Sequence, residues 1–233
     1  MNLRELPRDD LEAMLGAGED ILECYRLLRK TGDNVVGELL RGAGTFYEWN
    51  HYPKGDVYDH ETHSQYFYHA HPTELRGGEH GHFHTFLRAK GMPENVEPAP
   101  YDGEVEWPRG DDALSHLIGI SMDRKGYPIQ LFTTNRWVTG ETWYSAADVV
   151  AMLDRFNIDH AQPSLPVNRW VTGMLRLFRP QITELVKQRD EAVAAWQRKY
   201  PDRDVYEDRK LEVTSRLTIS VEKQIAEVRA GLT

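Results

Sequence analysis

The sequence predicts an α+β protein in which a central antiparallel sheet over residues 45–134 is flanked by N-terminal helices and a long C-terminal helical hairpin. Three observations lead to this fold class. Apolar residues recur at helical spacing over 7–41 and again over 166–229. Between these stretches, short aromatic and β-branched runs alternate with polar residues and turn signals. The chain lacks the alternating strands and helices of a parallel sheet.

The composition is that of a folded globular protein. The 233 residues are 40% hydrophobic and 10% aromatic, with a formal net charge of -9. This length and composition predict one compact domain with an N-terminal helical segment (1–44), a sheet (45–143) and a C-terminal helical region (144–233). The acidic balance and the absence of long Lys/Arg runs argue against a nucleic acid or an anionic membrane as partner.

The N-terminus is charged and has no apolar signal region, and no long uninterrupted apolar stretch occurs, so we expect a cytoplasmic protein without membrane spans. Its single cysteine, Cys24, lies among apolar residues at helical spacing and is expected to be a buried thiol. A Gly-rich phosphate loop and a nucleophilic-serine elbow are both missing from the sequence.

The N-terminal segment predicts two helices. The first covers 7–30, begins at Pro7 and buries residues such as Leu11 and Ile21; the second covers 34–41 and ends at Gly42. Neither helix carries evident chemistry.

The segment 45–52 alternates and is rich in aromatic residues, which predicts a strand with Tyr47, Trp49 and His51 on one side. Residues 53–62 carry turn chemistry with several acids, for which a solvated turn is favoured over a cation loop.

Histidine is concentrated in the middle of the chain. Eight of the ten histidines lie between His51 and His84. Because side chains in a strand alternate between faces, His69 and His71 share a face, as do His82 and His84. A Pro- and Gly-punctuated loop joins the two runs, which predicts an antiparallel hairpin. We expect His71 opposite His82 and His69 opposite His84, with Phe67 opposite Phe86 beyond them.

Four imidazoles on one face point to a divalent transition metal, with iron, copper and zinc all open. His69, His71, His82 and His84 are the expected ligands. The alternative is an aromatic-rich strand pair whose imidazoles hydrogen-bond to neighbouring groups.

Four further residues are candidates around this centre. His51, His63 and His116 are candidates for a remaining ligand, an outer partner or a proton shuttle, and for each the alternative is a structural hydrogen-bonding role. Glu79 is a candidate general base, with a solvated loop acid as the alternative.

The remainder of the chain provides a loop, a second hairpin and helices. Residues 90–109 form a long Pro-rich loop. Residues 113–122 and 127–134 predict a hairpin that pairs Ile120 with Ile129 and His116 with Thr133.

Residues 135–143 form a polar and aromatic connection of the kind that holds substrate groups. Ser145 is expected to cap a helix to 156. Two further helices, from 166 to about 196 and over 204–229, predict an antiparallel hairpin that packs on the sheet or on a second copy of the chain.

Two resemblances accompany these patterns. The His69-Ala70-His71 pair resembles the metal motif of cupins, although Glu74 follows sooner than the cupin glutamate does and the helical C-terminus is longer than in a cupin barrel. More of the chain resembles an uncharacterised family of bacterial proteins, which supplies no function. The segments that carry this second resemblance are His51-Tyr52-Pro53, Gly55-Asp56-Val57-Tyr58, Glu79-His80-Gly81-His82-Phe83-His84 and Asn135-Arg136-Trp137-Val138-Thr139-Gly140-Glu141.

The sequence therefore predicts a histidine-ligated, metal-dependent enzyme acting on a small molecule, of oxygenase or hydrolase type. The first alternative is a non-catalytic metal-binding protein such as a buffer, sensor or chaperone. The second is a structural subunit whose helical hairpin carries the function and whose histidines are incidental.

Overall fold

The structure is a computed structural model that describes residues 3–72 and 78–233. Glu74 lies outside these residues. In chain order the helices and strands are α1 (Arg8–Arg29), α2 (Val35–Leu40), β1 (Tyr52–Tyr58), β2 (Ser64–His69), β3 (Gly81–Arg88), β4 (Leu114–Met122), β5 (Pro128–Thr134), α3 (Arg136–Thr139), α4 (Ala146–Leu153), α5 (Leu165–Leu177), α6 (Arg179–Lys199), β6 (Val213–Thr218) and α7 (Val221–Leu232).

The strands form one six-stranded sheet in the order β1-β2-β3-β4-β5-β6, each antiparallel to the next. With helices before and after it, the sheet confirms the predicted α+β class. Cupins are double-sheet jelly rolls, whereas this sheet is a simple meander, so the cupin resemblance does not extend to the fold.

One face of the sheet, called here the helix face, forms the main core with the helices. Its buried residues include Tyr66, Tyr68, Phe83, Ile118, Ile120 and Leu131. The Phe83 ring lies 5.4 Å from that of Trp170 in α5, and the Tyr66 hydroxyl donates to Asn168 Oδ1 at 2.6 Å. Helix α1 packs against α5 and α7 to complete this layer. Burial of these large rings is the main source of stability on this side.

The opposite face, called here the histidine face, carries the alternate residues of the same strands. Its members are Phe67, His69, His82, His84, Phe86 and Phe132. His82 and His84 are each 1% exposed. Strand alternation therefore separates an apolar core from a face rich in imidazole.

The predicted strand over 45–52 is wrong, because β1 begins only at Tyr52 and runs through the segment predicted as a turn. Before it, the Trp49 backbone has a φ of 70°, which is incompatible with an extended strand. Residues 45–51 instead form a loop, and the N–H of Trp49 donates to the Ala70 carbonyl at 2.9 Å.

Both central hairpins form, but each is shifted by two residues from the predicted register. His69 pairs with His82 and Phe67 with His84, and in the second hairpin Ile120 pairs with Leu131. An even shift keeps the side chains of β2 and β3 on their predicted faces. In β4, however, a bulge opposite Thr85 and Phe86 turns His116 to the histidine face, although strand alternation predicted it on the same face as Ile120.

The predicted helix over 204–229 is also wrong in its first half. Strand β6 occupies Val213–Thr218 and pairs with β5, so the helix begins at Val221, after the side chain of Ser220 accepts from the N–H of Lys223. Leu217, which in the predicted helix would share an apolar stripe with Val221 and Ile225, is 40% exposed at the sheet edge. Pairing with β5 overrides the local helical pattern.

The predicted helix after Ser145 is confirmed, since the Ser145 side chain caps α4 by accepting from the N–H of Asp148. Among the described helices, none combines the length and the apolar character that crossing a lipid bilayer requires.

Candidate metal centre

Three histidines converge at the end of the β2-β3 hairpin. The β2-β3 register sets His69 directly opposite His82, and His71 follows two residues beyond His69. One ring nitrogen from each of these residues lies within 4.8 Å of the other two. These three residues are called the histidine triad below.

The closest contact in the triad joins His69 Nε2 to His82 Nε2 at 2.6 Å. A tetrahedral ion with metal–nitrogen bonds of about 2.0–2.1 Å holds two such nitrogens roughly 3.3 Å apart. The rings thus need to separate by about 0.7 Å to share an ion, by the same geometry. His69 is only partly buried, so its ring has room to make this adjustment. The donor set and its spacing therefore fit a first-row transition metal.

Glu79 fixes the orientation of the buried member of the triad. Its Oε1 lies 2.5 Å from His82 Nδ1, and the two side chains are 9% and 1% exposed respectively. A carboxylate accepts only, so Nδ1 carries the proton and the lone pair of His82 is left on Nε2, toward His69. This carboxylate–histidine arrangement is typical of metal ligands, in which the outer partner sets the tautomer.

His84 borders the triad without joining it. Its ring centroid is 4.9 Å from that of His82, and its Nδ1 lies 3.0 Å from His116 Nε2. Burial lowers the pKa of His116 to about 3, so this imidazole is neutral near pH 7. The His84–His116 pair therefore forms a buried layer beside the three potential ligands, in which His116 is neutral.

Behind this layer lies Glu141, which sequence reasoning did not single out. Its Oε2 accepts from the backbone N–H of His116 at 2.6 Å, and the side chain is fully buried. Burial raises the pKa of this carboxyl to about 7, against a lowering effect of Arg189. Only its position in the polar segment 135–143 distinguished it in the sequence.

The other two predicted site residues differ in how close they lie to the triad. His51 borders it: its ring meets that of His69 edge to face with centroids 5.7 Å apart, it stacks on Phe67 at 3.6 Å, and its Nδ1 lies 3.1 Å from Asp56 Oδ1. His63 lies before the first residue of β2, at the end of the strand away from His69, with its Nδ1 2.5 Å from the Tyr58 hydroxyl. The structure does not bring His63 to the triad.

Access to the triad differs among its members. His69 and His71 are partly exposed, whereas His82 is buried. Trp49, from the loop before β1, contacts His71 with ring centroids 4.2 Å apart. The sequence had grouped Trp49 with His51 on one side of a predicted strand, and that grouping was the signal that this segment reaches the histidine face.

Comparison with known proteins identifies a family. The model of a domain of unknown function (DUF6969) matches residues 15–219, which is most of the chain. No curated protein and no solved structure matches. The chain therefore belongs to the DUF6969 family, in agreement with the resemblance to an uncharacterised family.

Proposed function

We propose that this member of the DUF6969 family binds a divalent transition metal through His69, His71 and His82 and is a metal-dependent enzyme acting on a small molecule. The observation that carries the proposal is the convergence of three ring nitrogens within 4.8 Å of one another. Imidazole is the commonest protein ligand for such ions. Iron, copper and zinc remain alternatives, because an all-imidazole set suits each of them.

The number and exposure of the ligands favour catalysis over storage. Catalytic sites usually combine three protein ligands with one open position, whereas structural zinc sites are closed by four. His69 and His71 are both partly exposed, so a substrate group has a route to the ion. A metal bound there would act as a Lewis acid or activate a small ligand such as water or dioxygen.

The chain's own residues prepare the site in distinct ways. Glu79 holds the proton of His82 on Nδ1 through a 2.5 Å contact and so leaves the lone pair of the ring on Nε2, the nitrogen that would coordinate. Phe67 and Phe132 pack around the triad and exclude water from its inner side, since their exposed fractions are 7% and 1%. Because His116 is neutral, it adds no positive charge next to the ligands.

Metal content is the direct test. Protein purified without a histidine tag is analysed for metals, and we expect about one equivalent per chain. The variant His82→Ala removes a buried ligand and is expected to lose the metal. The variant His60→Ala is the matched control, because His60 is exposed and contacts only Tyr58 among the aromatic rings of the described chain. No bound metal in the parent, or equal retention in both variants, refutes the centre.

An open coordination position on the metal would distinguish the proposed enzyme from the competing function, a non-catalytic metal-binding protein. Cobalt(II) substituted at the triad reports its coordination through its visible absorption, and azide is added as a small exogenous ligand. We expect azide to change the spectrum, because a site with three protein ligands can accept it. An unchanged spectrum at saturating azide favours a closed, non-catalytic site.

A further inference from the structure

The loop before β1 contains a strained residue that is anchored to the triad. Trp49 has a φ of 70°, in the left-handed region that bulky residues rarely adopt. Its N–H donates at 2.9 Å to the carbonyl of Ala70, the residue between His69 and His71. The strained conformation is thus held by a bond to the segment that carries two of the three potential ligands.

The side chain of Trp49 also contacts the triad, and it remains accessible to solvent. Its ring meets that of His71 edge to face, with centroids 4.2 Å apart and planes at 69°. The residue is nevertheless 56% exposed. Because more than half of the residue is exposed, burial of this indole within the protein contributes little to stability. Its position beside a potential metal ligand therefore needs another explanation.

We propose that Trp49 forms the aromatic wall of the substrate site and that the substrate is a planar aromatic compound with an oxygen donor. This inference rests on the proposed metal centre, which would bind the oxygen while the ring stacks on the indole. Offset and edge-to-face contacts with aromatic rings are the interactions that an exposed indole makes most favourably.

The surroundings of Trp49 favour an aromatic ligand. His51 stacks on Phe67 with ring centroids 3.6 Å apart, so the surface next to the triad also consists of stacked rings. Asp56, the acid of β1, contacts His51 Nδ1 through Oδ1 and accepts from the side-chain amide of Gln65 at 2.6 Å through Oδ2. Ring surfaces therefore border the triad on the side of β1, and the one acid of β1 is already engaged.

The loop contains its own control. Tyr47 is 60% exposed, comparable to Trp49, but within the described chain its ring is not in contact with any of the triad histidines. Removing Tyr47 therefore changes the exposed aromatic surface of the loop without changing the proposed wall.

The probe is 4-nitrocatechol, a coloured planar compound with two oxygen donors, titrated into zinc-loaded protein while its absorption is followed. We expect Trp49→Ala to weaken its Kd about 2- to 10-fold, the range that an aromatic contact supplies. Trp49→Phe should stay close to the parent, and Tyr47→Ala should not differ from it. Zinc content, measured separately, should be the same in all four proteins.

A further variant separates the ring from the strain. Trp49→Gly also removes the indole, but glycine adopts a positive φ without cost. We expect it to raise the melting temperature relative to Trp49→Ala while showing the same weakened Kd. Unchanged probe affinity in both variants, or an equal loss in Tyr47→Ala, overturns the aromatic wall. Absence of zinc from the parent protein overturns the metal centre and this inference with it.

Discussion

Replacing Glu79 by glutamine tests whether this acid orients a metal ligand. Glutamine keeps a carbonyl oxygen that can accept a hydrogen bond from the N–H at His82 Nδ1, but it removes the negative charge from this 2.5 Å contact. Hydrogen bonds to charged groups contribute about 1.5–3 kcal/mol and neutral ones about 0.5–1.5, so the loss is roughly 1–1.5 kcal/mol. We therefore expect about a tenfold weaker Kd for zinc, at the lower end of the 10–100-fold range typical of outer partners of metal ligands.

The assay is competition for zinc with a colorimetric chelator at a fixed pH near 7.5. Glu106→Gln is the matched control, because Glu106 is exposed and lies in the loop before β4. Glu79→Ala leaves the buried N–H of His82 without its acceptor and should weaken zinc binding further, by about 100-fold. If Glu79→Gln binds zinc as tightly as the parent, the acid does not act through His82 and the reasoning fails.

Two further predictions concern stability. Because burial raises the pKa of Glu141 from 4.5 to about 7, its contribution is fully present below pH 4.5 and is lost as the pH rises through 7. At 1.36 kcal/mol per pKa unit this amounts to at most about 3 kcal/mol. We expect Glu141→Gln to flatten the pH dependence of the unfolding free energy, so that its difference from the parent shifts in its favour between about pH 4.5 and 7 and stays constant at higher pH; a constant difference from pH 5 to 9 in urea titrations contradicts this. Gly119→Ala should destabilise the protein by about 1–3 kcal/mol, since the added Cβ would lie 2.4 Å from the Phe132 ring; an unchanged melting temperature contradicts that contact.

The sequence predicted the faces of β2 and β3 because alternation depends only on whether a residue number is odd or even along a regular strand. It did not predict the face of His116, because a bulge in β4 interrupts the alternation there. The pairing of His69 with His82, in place of the predicted His71, depends on the geometry of the connecting loop. That geometry is not encoded in a short pattern. The even shift preserved the faces, whereas a shift of one residue would have moved His82 to the helix face.

Strand β6 was not predictable from its local pattern. Its Leu217 continues a helical spacing with Val221, and only pairing with β5 makes the segment extended. Edge strands with one exposed side have weak alternation, and their conformation follows from long-range contacts. The same limit explains the loop at Trp49, whose positive φ is stabilised by a bond to Ala70 that is distant in sequence.

The grouping of the three triad histidines was easier to predict from the sequence than the contacts of the groups around them. His69, His71 and His82 follow from strand alternation and one hairpin, so the sequence contained the information needed to group them. The role of Glu79 depends on a contact across three residues at the start of β3, where the backbone is not yet a regular strand. The position of His63 could not be predicted from the concentration of histidines in the sequence. His63 precedes β2, so the full length of that strand separates it from His69.

The separation of the two faces also explains how the chain can carry so many buried imidazoles. On the histidine face, His82 and His84 are almost fully buried, and each makes polar contacts mainly with another histidine or with Glu79. Such a polar layer contributes less to stability than an apolar one of the same volume. The helix face of the same strands compensates, with fully buried rings such as Phe83 packed against α5. Departures from the ordinary rules of a packed core are expected at functional sites, where other parts of the structure supply the stability. The burial of these histidines is therefore itself an argument that the face serves a ligand.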